Sequence, residues 1–183
     1  MTVRPPVENA DTVSLVCALL ARYPEIASIR AMPGEGTLRI TFAIAQRLDR
    51  DAQRRIAEAV DDHLTAYVEL GGEDPSVVRV ECESDRAMAF LHVARDLETF
   101  SKGELELLVA FLADRFGEHL VRSASGDRQV GDDDLAEQDE IAEYAIEALR
   151  DPTQSKNLVG FHEEQRVLVY FLKSRKRKAS GRR

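Results

Sequence analysis

Residues 76–120, SVVRVECESDRAMAFLHVARDLETFSKGELELLVAFLADRFGEHL, join the strongest apolar patterning in the chain to its clearest helix start. Val78, Val80 and Cys82 alternate with Arg79, Glu81 and Glu83, the period-two pattern of a strand with one wet face. Ser84-Asp85-Arg86 is a polar break, and residues 88–94 after it are apolar at nearly every position, which predicts a second strand inside a sheet. Ser101-Lys102-Gly103-Glu104 then spells a capping box, in which the serine oxygen accepts from the Glu104 amide and the Glu104 carboxylate reaches back to the Ser101 amide. Leu105, Leu108, Leu112, Phe116 and Leu120 follow at helical spacing, with Leu107 and Phe111 widening the stripe. Burying each such side chain contributes roughly 1.5–3 kcal/mol, enough together to offset much of the entropy of ordering the segment.

The same alternation of hairpin and helix precedes this stretch. Asp11 starts a helix with Val13, Val16, Cys17 and Leu20 on one face, and Pro24 stops it. Residues 26–32 and 37–45 form a hairpin across Pro33-Gly34-Glu35-Gly36, with Leu38, Ile40, Phe42 and Ile44 pointing one way. That turn lies between two strands and lacks a following GKS or GKT, which excludes a phosphate loop. Asp49 caps a helix over 50–70 whose buried face is expected to be Ile56, Val60, Leu64 and Tyr67, and Gly71-Gly72 ends it.

C-terminal to residue 121 the pattern lapses, and residues 122–133 are read as a linker. A helix over 135–150 follows, with Ile141, Tyr144, Ala145 and Leu149 on its buried side. Residues 157–161 and 166–172 form a third hairpin across His162-Glu163-Glu164-Gln165. Both faces of VLVYFL are apolar, so this strand is expected to be central or covered by a partner. The fold class expected is α+β: a mostly antiparallel sheet of hairpins with amphipathic helices packed chiefly on one face. The organisation expected is a loose arm over 1–10, an αββαββα core over 11–121, a helix and hairpin over 134–173 packed on that core, and a basic tail over 174–183.

At 183 residues the chain suits one hydrophobic core. No apolar run approaches the roughly 18 residues of a membrane helix, and no secretory signal is visible at the N-terminus, so a cytoplasmic protein without membrane partners is expected. Arginine far outnumbers lysine, a bias of GC-rich bacterial coding. Cys17 and Cys82 sit among aliphatic residues outside any CxxC pair and read as packed thiols. His63, His92, His119 and His162 fall in four different elements without ligand spacing, so neither a metal nor another cofactor is expected. The acidic run from Asp132 to Glu147 lacks the calcium-loop pattern and reads as a solvated helix face. No nucleophile motif is present and no catalytic residue is assigned; an enzyme built on His92 and Asp96, which share strand parity, ranks a distant third among the readings.

The tail is the opposite of the body. Lys173, Arg175, Lys176, Arg177, Lys178, Arg182 and Arg183 are seven cations, and removing them from the formal −8 leaves residues 1–172 at −15. A nucleic acid is therefore expected to be attracted by the tail alone. Two functional readings result. The first is a non-catalytic intracellular interaction or regulatory protein, self-associating as a homodimer through an apolar surface at Val167, Val169 and Phe171. The second is a nucleic-acid- or ribosome-associated accessory protein whose tail holds phosphates.

Overall fold

The computed structural model describes residues 12–124, 132–151, 153–154, 156–164 and 166–173. The expected N-terminal arm, residues 125–131 of the expected linker and residues 174–183 of the tail lie outside the described residues. Helix α1 (Thr12–Arg22) precedes β1 (Ile26–Met32) and β2 (Thr37–Ile44), and α2 (Arg50–Gly71) precedes β3 (Val78–Ser84) and β4 (Ala89–Asp96). Then come α3 (Lys102–Phe116), α4 (Asp132–Leu149), β5 (Leu158–Glu163) and β6 (Arg166–Phe171). The strands make one antiparallel sheet in the order β3-β4-β2-β1-β5-β6, an α+β fold.

Alternation decides which face each strand gives to the core. One lateral row runs Val80, Val93, Ile40, Ile29, Gly160, Val169 across all six strands. This row and its neighbours on the same face enter one cluster with Leu15, Val16, Leu19 and Leu20 of α1, Ile56, Val60 and Leu64 of α2, Leu105, Leu108 and Leu112 of α3, and Ala145, Ile146 and Leu149 of α4. Every strand residue of that cluster lies on this face. Gly160 is required in the row by the approach of α1: a Cβ there would stand 2.7 Å from Val16 Cγ1 and 3.0 Å from Leu20 Cδ1.

Two helices turn differently from the pattern expected. In α2 the buried residue of the last turn is Val68, not Tyr67, because the helix continues unbroken to Gly71 and Val68 continues the four-residue steps from Ile56. In α4 the buried face is Ala142, Ala145, Ile146 and Leu149, while Ile141 and Tyr144 are exposed. Small residues let α4 lie close to α1, and Arg22 donates to Asp139 at 2.6 Å across the pair. The helix also starts at Asp132, inside the stretch over 122–133 read as linker. At its other end the Arg150 guanidinium donates to the carbonyls of Leu97 (3.0 Å) and Phe100 (2.7 Å).

Strand β5 pairs with β1, and Leu158 belongs to the common core, so the C-terminal hairpin extends the sheet built by the first half of the chain. A protease site inserted between residues 125 and 131 is therefore expected to give two fragments that stay together and melt in one transition. Size-exclusion chromatography and calorimetry of the cut protein check this. Fragments that part and melt separately would show two domains.

Candidate functional site

The face of the sheet opposite the core carries polar, basic and aromatic residues in register. One lateral row there runs Arg79, Ala94, Arg39, Arg30, Val159, Tyr170, and the next runs Glu81, His92, Thr41, Ser28, Phe161, Leu168. None of these side chains joins the core cluster. Tyr170 is 56 % exposed, and its ring stacks on Phe161 with centroids 5.7 Å apart. Arg39 faces Glu81 at 3.6 Å, an exposed pair of small energetic weight. Arg30 and Arg79 have no ion pair among the described residues, although Arg30 stands directly opposite Arg39 on the neighbouring strand.

His92 lies in the middle of this face. Its Nδ1 is 2.9 Å from Thr41 Oγ1 and its Nε2 is 3.1 Å from Glu83 Oε1. The order carboxylate, imidazole, hydroxyl is that of a nucleophile triad, but catalysis of acyl transfer also needs amides aimed at an oxyanion. Thr41 and His92 sit within strands paired on both sides, so the ladders occupy the neighbouring amides. The three side chains act as a cross-strand polar ladder.

Asp96, expected beside His92, is turned away from it. The strand ends at Asp96, and its carboxylate accepts from Arg95 Nη1 (2.7 Å), from the Val77 amide (3.1 Å) and from the Thr99 amide and hydroxyl (3.0 and 2.7 Å). Arg95 is 1 % exposed on the core face. It donates through Nε and Nη2 to the two oxygens of Glu104 at 2.5 and 2.9 Å, and to Val77 O and Thr99 Oγ1, so all five of its N–H groups are engaged. This corrects the capping box at the start of α3. The Glu104 amide donates to Ser101 Oγ at 3.2 Å as expected, but the Glu104 carboxylate goes to the buried guanidinium instead of the Ser101 amide. An unpaired Arg95 in the core would cost far more than an unmade cap. Burial works to raise the Asp96 carboxyl, yet the Thr99 and Val77 bonds and Arg95 hold it below its ordinary value. Burial raises the Glu104 carboxyl, with Arg95 opposing. Saturated with partners and sealed from solvent, the cluster is structural.

The surface expected at the C-terminal hairpin lies on an edge strand. β6 is the outermost strand and not a central one, so among the described residues one side of its backbone is unpaired. Val167 and Val169 point to the core face and are half-buried against the cluster, while Phe171 beyond them is 60 % exposed with the Lys156 ammonium 5.5 Å from its ring centroid. Of the tail cations only Lys173 is described, and it is exposed. Arg175, Lys176, Arg177, Lys178, Arg182 and Arg183 lie outside the described residues.

His162, assigned to a polar turn, is part of β5, and the turn is displaced to Glu164, which adopts a positive φ of 53°. The Nε2 atom of His162 donates to the Leu20 carbonyl at 3.0 Å, while its buried Nδ1 has no partner, so a neutral ring fits this place. Burial lowers its pKa from 6.5, opposed by the Leu20 bond. Above pH 6.5 this contribution to stability is complete; as the pH falls below 6.5 the unfolded chain takes up the proton first, and stability is lost down to the folded pKa. The melting temperature is expected to fall between pH 7 and pH 5 by more in the native chain than in His162→Gln. Parallel slopes in the two proteins would remove His162 from the account.

Among the described residues no group of three or more His, Cys, Asp or Glu side chains could hold a metal, and no helix is long and apolar enough to cross a membrane. Burial pushes the Cys82 thiol up to about 11, with Glu83 adding to it, far from a reactive thiolate. Comparison with known proteins finds no matching family model, no matching curated protein and no matching solved structure.

Proposed function

We propose that the protein is a non-catalytic intracellular interaction protein that self-associates as a homodimer through the free edge of β6. The observation that carries this reading is the half-covered apolar row Val167, Val169, Phe171 on a strand whose outer backbone edge is unpaired among the described residues. A second copy of the same strand completes both. Antiparallel pairing about a twofold axis at Val169 sets Val169 against Val169 and Val167 against Phe171 of the partner, all on the core face, because opposed residues share parity. The same operation continues the sheet to twelve strands and removes two exposed edges at once. Main-chain bonds supply affinity in such strand addition, and the apolar row supplies register.

Amide exchange resolved along β6 tests this. On raising the concentration from well below to well above one micromolar, exchange at the β6 amides facing away from β5 is expected to slow, while β3, the other edge, stays unchanged. Equal rates at both concentrations would exclude pairing through β6.

A further inference from the structure

We infer that the open face of the sheet is a binding surface for single-stranded nucleic acid, independent of self-association, which uses the edge and opposite face of β6. The body of the chain is acidic, and α4 alone carries eight carboxylates and no base, which would repel a polyanion. The open face departs from that average. Arg79, Arg39 and Arg30 lie in one lateral row spanning three strand spacings, about 14 Å at the usual separation, with Ala94 as a low floor between the first two. Arg30 opposes Arg39 directly, a like-charge arrangement that destabilises a sheet unless an anion is shared between the two. The nearby acids are spoken for: Glu81 faces Arg39, Glu83 faces His92, and Glu163 faces Arg166, which leaves Arg30 and Arg79 uncompensated among the described residues.

The same row ends on an aromatic platform. Beyond Arg30 it passes Val159 to Tyr170, whose exposed ring is already stacked on Phe161. Cations in line followed by a stacking surface match the chemistry of an unpaired strand, whose phosphates run along one side and whose bases present π-faces. A duplex hides those faces, and an acidic peptide has none.

The test is fluorescence anisotropy of the full chain with labelled oligo(rU) and oligo(dT) of about twelve nucleotides over a salt series, against duplex DNA and poly-glutamate. Both oligonucleotides are expected to bind more tightly than the duplex, the one preferred reporting RNA or DNA. Arg30→Gln with Arg79→Gln is expected to weaken binding at least ten-fold and to reduce the salt slope by about 1.4, two phosphate contacts' worth for a single strand. Tyr170→Leu keeps apolar bulk on Phe161 but loses the π-face; it is expected to weaken binding roughly ten-fold with the slope unchanged. All variants keep the tail, so its contribution cancels, and circular dichroism confirms that each is folded. Unchanged affinity and slope in the double variant would overturn the inference. So would equal binding of the duplex or of poly-glutamate, or indifference to Tyr170→Leu.

Discussion

Arg95→Met is expected to destabilise the protein by about 3–5 kcal/mol, the range for removing one partner of a buried, hydrogen-bonded ion pair. For a chain of this size that corresponds to a fall of roughly 6–20 °C in melting temperature. Glu104 loses both of its charge-assisted bonds, whereas Asp96 keeps those from Thr99 and the Val77 amide, so the uncompensated charge falls on Glu104. The pH dependence identifies the culprit. The Glu104 carboxyl, already raised by burial, rises further without the guanidinium, and a folded pKa above the unfolded one means the native state holds the proton more tightly. The variant therefore regains stability as the pH falls toward the ordinary glutamate range and loses it as the pH rises. Arg95→Met with Glu104→Leu removes the buried charge together with its partner and is expected to recover most of the loss. Urea melts at pH 5 and pH 7.5 on the two variants decide the matter; a loss under 1 kcal/mol for Arg95→Met, or one that does not depend on pH, would show that the cluster carries little weight.

The position of Arg95 was legible in the chain. Ala89, Leu91 and Val93 put it on the core face by strict alternation, and a glutamate nine residues on, in the first turn of the next helix, is a partner within reach. Ending the second strand at Ala94 concealed it, and Asp96 was set beside His92 by carrying strand parity past that boundary. The hairpins and the amphipathic helices were legible because their periods are set by local geometry: Leu38 to Ile44 alternate cleanly, and Leu105, Leu108 and Leu112 step by three and four. The arginine row was not. Arg79 and Arg39 each show as wet-face residues, but their alignment with Arg30 depends on which strands neighbour one another, and β2 pairs with β4 rather than with β3, its nearest successor in the chain. The edge position of β6 was hidden for the same reason, since apolar residues on both faces of VLVYFL fit a central strand as well as an edge strand with a partner.

The second large effect concerns that edge. Phe171 is the exposed member of the apolar row, so Phe171→Asp changes the proposed interface while leaving the packed Val167 and Val169, and with them the fold of one copy, intact. By twofold symmetry each dimer contains the substitution twice, opposite Val167 of the partner, and burying two carboxylates in place of two rings is expected to weaken association at least about 30-fold. Multi-angle light scattering at tens of micromolar is the direct measurement. The account predicts twice the chain mass of 20.5 kDa for the native protein and the chain mass itself for Phe171→Asp, with the same melting curve for the variant at high dilution. A native protein that elutes at 20.5 kDa over that range, or a Phe171→Asp variant that remains a dimer, would contradict it.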